Sequence, residues 1–202
     1  MQGDPEVVVL RYGHRPGRDD RMTTHVGLTA RALGADRVLF PSNATQSKET
    51  VDTVTDRFGG PFLAELRDDQ NAIVRDWDGI VVHLTMYGEP IQEVQAEIRH
   101  RHRPETGTAE GEPILIVVGG EKVPFEMYER ADFNVGVTNQ PHSEVAGLAV
   151  FLDRLFDGRQ LDREWENADR RVVPRKTGKE VVPTEESDGG DDGDDGDDGS
   201  NR

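Results

Sequence analysis

Three short stretches hold the residues that could do chemistry. The first is Thr138-Asn139-Gln140-Pro141-His142-Ser143-Glu144, between an apolar run ending at Val137 and an amphipathic run that begins at once. Ser143 suits a helix N-cap and Glu144 a first helical turn, where an acid meets the positive end of the dipole. That reading leaves Asn139, Gln140 and His142 unexplained, and Pro141 would stiffen the loop for preorganised polar contacts. The second stretch, Gly119-Gly120-Glu121-Lys122-Val123-Pro124, follows the apolar run PILIVV. Paired glycines either make a tight strand-to-helix turn or let the backbone approach a ligand closely. Glu121 is either a ribose-hydroxyl acceptor or a first-turn acid. The third, YGHRPGRDDRMTTH at 12–25, is a loop rich in Arg and Gly.

All three stretches follow strand-like segments. Apolar runs occur at 7–11, 37–40, 79–86, 113–118 and 132–137, with a weaker one at 61–67. Helical periodicity separates them. Met22, Val26, Ala30 and Leu33 share a face, with Gly34 closing the helix. Segments 47–58 and 90–100 follow, the latter with Pro90 at a plausible first position. A last helix over 142–156 places Val145, Leu148, Leu152 and Leu155 on one stripe. Strands that are apolar throughout and alternate with helices predict an α/β domain: a mostly parallel sheet with helices on both faces. Ligands in such sheets sit beyond the carboxyl ends of the strands, where the three stretches and the end of the run LTMYGEP (84–90) fall.

Composition narrows the class. The chain has 202 residues, no Cys and a formal net charge of −16. The terminal stretch from Glu185 has nine acids, one Arg and no apolar residue, which predicts a disordered acidic tail. It carries −8, and residues 1–184 carry the other −8. Only four Lys (48, 122, 176 and 179) stand among the 24 basic residues. Such an acidic, Lys-poor chain reads as a protein built for molar salt, where the Debye length is about 3 Å. In ordinary salt this charge argues against a nucleic acid partner; in molar salt local Arg contacts decide.

Without Cys there is no thiolate or disulfide chemistry, and no run approaches a membrane span. No signal peptide is visible at MQGDPE, so a cytoplasmic protein is expected. The six His show no HExxH pattern, so no metal is expected. His100 and His102, in RHRHRP, read as cations at a helix end or as RNA phosphate contacts. Neither GxGxxG nor GxxxxGK[ST] is present, which disfavours a dehydrogenase-like enzyme.

The segments GHRPGRDDRMTTHVGLTARALGA (13–35), VGGEKVP (118–124) and VTNQPHSEVAGLAVFLDRL (137–155) together resemble the archaeal tRNA (cytidine-56) 2′-O-methyltransferases of the SPOUT superfamily. Gly120, where an Ala is usual, is a mild departure. The resemblance implies S-adenosylmethionine as methyl donor and a T-loop cytidine 2′-hydroxyl of tRNA as acceptor. It also implies a C-terminal trefoil knot and a homodimer whose sites draw on both chains. By the same resemblance Leu84, Gly119, Gly120, Glu121, Lys122, Val123, Val137, Thr138, Asn139, Gln140, Pro141, His142, Ser143 and Glu144 hold the cofactor. Arg21, with Arg18 behind it, would serve catalysis, and Asn139 would orient the substrate or that Arg. The methyltransferase domain would span residues 1–170, and 171–202 would be an extension ending in the acidic tail. The competing reading is a non-catalytic nucleoside- or RNA-binding module. Val150, Phe151 and Phe156, off the stripe of the last helix, suggest a second apolar face, explained by either core packing or a two-helix dimer contact.

Overall fold

The computed structural model describes residues 5–104 and 110–184; the acidic segment from Glu185 lies outside them. Six strands form one parallel sheet in the order β3-β2-β1-β5-β4-β6. They are β1 (Val7–Tyr12), β2 (Arg37–Pro41), β3 (Leu63–Arg67), β4 (Ile80–Pro90), β5 (Ile114–Gly119) and β6 (Phe133–Gly136). The central strands β1 and β5 pair without interruption from Val7–Ile114 to Tyr12–Gly119. Val7 to Leu10 and Ile114 to Val117 are fully buried on both faces, which is why these runs do not alternate.

The two faces are covered unequally. On one lie α1 (Asp20–Ala32), α2 (Thr45–Phe58), α4 (Ile91–His102) and α6 (Glu144–Phe156), packing Val26, Val51, Ile98 and Leu152 onto Val7, Val9 and Ile116. On the other, the six-residue helices α3 (Gln70–Arg75) and α5 (Phe125–Arg130) place Val74 and Met127 over Val8, Leu10 and Val117. Helices on both faces were expected, but α3 and α5 are too short to show a 3.6-residue period. Helix α6 starts as its sequence requires, the Ser143 hydroxyl accepting from the Ala146 amide at 3.2 Å.

Leu148, Phe151, Leu152, Leu155 and Phe156 are all buried within the chain; Val150 alone of the large apolar side chains on α6 is exposed. The off-stripe Phe residues are therefore core and do not form a second apolar face. His102 is also buried. Its Nδ1 lies 2.8 Å from the Glu112 carbonyl, and burial lowers its pKa, so it is no phosphate contact.

A two-stranded antiparallel hairpin, β7 (Arg170–Val172) with β8 (Val181–Pro183), lies beyond the sheet and packs on α2. Its approach is fixed at Gly59-Gly60, both at positive φ (73° and 90°). A Cβ on Gly60 would lie 2.5 Å from the Trp165 ring, and the Gly60 amide donates to the Glu166 carbonyl at 2.8 Å. Arg31, nearly buried, sits 4.4 Å above the Trp165 ring and donates to the Gly59 carbonyl at 2.5 Å.

Candidate functional site

A cleft of about 830 Å³ opens at the carboxyl ends of β5, β4 and β6. That is where a parallel sheet of this kind binds ligands. One wall is the segment after β5, with Gly119, Glu121, Lys122 and Val123. Another is the end of β4, Leu84 to Tyr87, and the third is Val137, Pro141, His142 and Glu144 leading into α6. Gly119 must be small, since a Cβ there would lie 2.6 Å from Val123 Cγ2.

The end of β4 is shaped by a register break. Leu84 and Glu89 both pair with Val135, so residues 85–88 stand out from the sheet as a loop. Asn139 pins that loop, its Nδ2 donating to the Met86 carbonyl at 2.7 Å and the Gly88 carbonyl at 3.3 Å. The amide nitrogen of Asn139, the residue expected to orient the substrate or Arg21, is bonded to these two backbone carbonyls. His142 folds back on its own turn, its Nδ1 lying 2.8 Å from the Gln140 carbonyl.

The arginine-rich first loop reaches the second loop from behind. Arg11, the polar end of the strand VVVLR, is fully buried. Its Nη1 donates to the Gly119 carbonyl at 3.1 Å and lies 3.6 Å from Glu144 Oε1; its Nε donates to Thr23 Oγ1 at 3.3 Å. Burial lowers its pKa, and Glu144 opposes that shift. Arg15 donates twice to Asp19, at 2.8 and 3.1 Å, and to the Gly120 carbonyl at 3.0 Å. Those hydrogen bonds drive the Asp19 pKa down to about 2.

Gly120 serves this junction, not the cleft. A Cβ there would lie 2.6 Å from the Gly13 carbonyl oxygen and 2.7 Å from Arg11 Nη2. Thr138, Asn139, Gln140 and Ser143 likewise stay off the cleft wall, although their segment forms it. Arg21 lies exposed on α1 and is not part of this cleft.

Of the run LTMYGEP only Leu84 was expected at the cofactor, yet Thr85, Met86 and Tyr87 line the cleft with it, as do Phe125 and Tyr128, which no motif pointed to. Tyr87 and Phe125 are about three-quarters exposed at its walls. Deeper, His83 packs edge-on against Tyr128 at 4.7 Å, and its Nδ1 lies 2.9 Å from Asn134 Oδ1. Burial lowers the His83 pKa, so it is neutral near pH 7. Arg11 was also missed; its signal was a cation inside a strand otherwise wholly apolar.

The fold is that of the SpoU-type methyltransferases. It superposes on the SpoU methyltransferase AviRb from Streptomyces viridochromogenes, solved with AdoMet, with TM-score 0.51 and 14% identity, over 81% of this chain and 61% of that one. A crystal structure of an RNA 2′-O ribose methyltransferase gives TM-score 0.51 at 17% identity, over 79% and 58% of the two chains.

The particular family is narrower. The family model described as "tRNA ribose 2'-O-methyltransferase, aTrm56" matches residues 58–182, and the chain belongs to that family. A relative from Natronomonas pharaonis, named tRNA (cytidine(56)-2'-O)-methyltransferase, is 70% identical over 92% of this chain and 99% of its own. One of the same name from Thermococcus kodakarensis is 50% identical over 89% and 98%. Relatives from halophiles fit the acidic, Lys-poor composition.

Proposed function

We propose that the protein transfers a methyl group from S-adenosylmethionine to the ribose 2′-hydroxyl of cytidine 56 in the T-loop of tRNA. The observation that carries this reading is the cleft at the carboxyl ends of β4, β5 and β6. It is walled by both loops that the family resemblance assigned to the cofactor. The cleft fits that group in size and character. Val118, Val135 and Val137 line its base, and Gly119 leaves backbone open beside them. Bound there, the donor supplies an electrophilic methyl carbon on a sulfonium.

The chain's own residues supply alignment. Loops 119–123 and 137–144 hold the donor, and Asn139 keeps the third wall, 85–88, in place. The acceptor oxygen must meet the methyl carbon in line, which is a positioning task. Arg21 is the catalytic residue in this reading. A solvated guanidinium stays protonated, so its contribution is to orient the acceptor and offset charge as the hydroxyl proton leaves.

Arg21 lies outside the cleft of its own chain, so the active unit in this proposal is a homodimer, each cleft meeting Arg21 of the second copy. Support comes from the outer face of α1 and α6. There His25, Leu28, Thr29, Ala32, Leu33 and Ala149 line a shallow, mostly apolar groove of about 310 Å³ beside exposed Val150. We also infer the trefoil knot. Its support is the return of the chain from β5 past β4 to β6, where Asn139 grips the 85–88 loop. We infer a domain division at about residue 170, supported by the start of the hairpin at Arg170. We infer a cytoplasmic location from the tRNA substrate; separately, among the described residues no helix is long and apolar enough to cross a membrane.

The test is to incubate the protein in molar KCl with labelled donor and an unmodified tRNA transcript, then map the label. Methyl on the ribose of C56 is the expected result. Donor binding without methylation of any tRNA would support the non-catalytic binding module instead.

A further inference from the structure

In a chain of net charge −16, residues 170–180 hold five Lys or Arg against one Glu. That segment is net +4, leaving −20 on the rest, and it contains two of the four lysines. Arg170 and Arg171 lie on β7, and Lys176 and Lys179 lie in the turn after Pro174. All four are exposed, and among the described residues none forms an ion pair. Arg175 alone is paired, with Glu180. A solvated acidic surface gives no reason to gather unpaired cations at one spot.

The hairpin is also held firmly. An isolated two-stranded hairpin is marginal in water. This one is anchored by Trp165 against Gly60 and Arg31, and by its packing on α2. It packs where α2 ends and the chain enters β3, at Gly59-Gly60, whereas the cleft lies at the carboxyl ends of β5, β4 and β6. From β3 to β4 is four strand spacings, about 19 Å. No small ligand spans that distance, but a folded polynucleotide does.

We propose that the β7–β8 hairpin is a phosphate-backbone grip for the RNA substrate, remote from the methyl-transfer cleft. This rests on the functional reading above. In molar salt, charges act only near contact, about 3 Å, so the −20 elsewhere does not repel the RNA. The four cations then act by direct pairing with phosphate oxygens. Such contacts orient a large substrate without reading its bases.

The experiment compares wild type with the full-length variants R170Q/R171Q/K176Q/K179Q and R170K/R171K/K176R/K179R, from about 0.5 to 3 M KCl. Each is measured for tRNA affinity, donor affinity, methylation and circular dichroism. The Gln variant should bind tRNA on the order of tenfold more weakly, with a slope of log affinity against log salt reduced by about one unit per lost contact. Its donor affinity and kcat at saturating tRNA should be unchanged, and the charge-conserving variant should match wild type. A folded Gln variant with wild-type tRNA affinity and salt slope overturns the proposal. Equal loss in the charge-conserving variant also overturns it, because the side chains would then matter for structure and not charge. A wild-type protein that binds tRNA but methylates none defeats the functional reading and leaves the hairpin to be judged on binding alone.

Discussion

Arg11 and Glu144 meet at 3.6 Å, joining the end of the central strand to the first turn of the last helix. The same guanidinium holds the Gly119 carbonyl, so one buried cation ties two walls of the cleft together. Arg11→Met should leave Glu144 without its partner and the Gly119 carbonyl without its donor. Breaking a fully buried pair costs about 3–5 kcal/mol. The Glu144 side chain is 35% exposed, so the loss here should be smaller, about 1–3 kcal/mol by the cost of an unsatisfied buried group. Thermal unfolding and donor titration in molar KCl should both show it. Unchanged donor affinity in a destabilised protein would confine Arg11 to the fold.

Asn139→Ala should free the 85–88 loop by removing its two hydrogen bonds. At about 1 kcal/mol net each, about 2 kcal/mol together, donor affinity should fall by up to roughly thirtyfold, with kcat little changed at saturating donor. Calorimetry and steady-state kinetics separate the two quantities. A large fall in kcat with normal donor affinity would mean that Asn139 acts on the acceptor.

Arg21→Ala should nearly abolish methyl transfer while donor binding stays close to normal. Gly119→Val should block the cleft and remove donor binding. If each site combines Arg21 of one chain with the cleft of the other, mixed subunits of these two inactive variants form one intact site per mixed dimer. Random mixing should restore about a quarter of wild-type activity. No recovery, in a mixture shown by native mass spectrometry to contain heterodimer, would place both residues' functions in one chain.

Asp19, held at a pKa of about 2 by Arg15, should make the protein acid-sensitive. Its unfolded-state pKa is about 3.9, so between the two values the unfolded chain binds more protons. This contribution is therefore complete above pH 4 and is lost as pH falls toward 2. Denaturant midpoints across that window should flatten in Asp19→Asn relative to wild type. An unaltered pH profile would show that the Arg15 pair contributes nothing to stability.

The sequence by itself determined the alternation of strands and helices, the positions of the loops that bear chemistry, and the composition suited to salt. Those features are local. An unbroken run such as ILIVV can only be buried on both faces, and Ser143 caps α6 from within its own segment. The family was legible for the same reason, since the loops are contiguous in the chain. What only the tertiary structure decided is which residues face which. Neighbours in one loop part company: Gly119 turns to the cleft and Gly120 to Arg11. Asn139 meets carbonyls more than 50 residues away, at a bulge that no periodicity announces. Phe151 and Phe156 are core because α1, α4 and the sheet enclose α6 on several sides, and helical periodicity in one segment does not reveal how many neighbours it has. The hairpin's three-residue strands are too short for a pattern, and their place is set by Trp165 closing on Gly60 and by Glu166 and Ala168 closing on Gly59, both glycines distant in sequence. Direction and distance between segments are properties of packing, and a linear pattern carries neither.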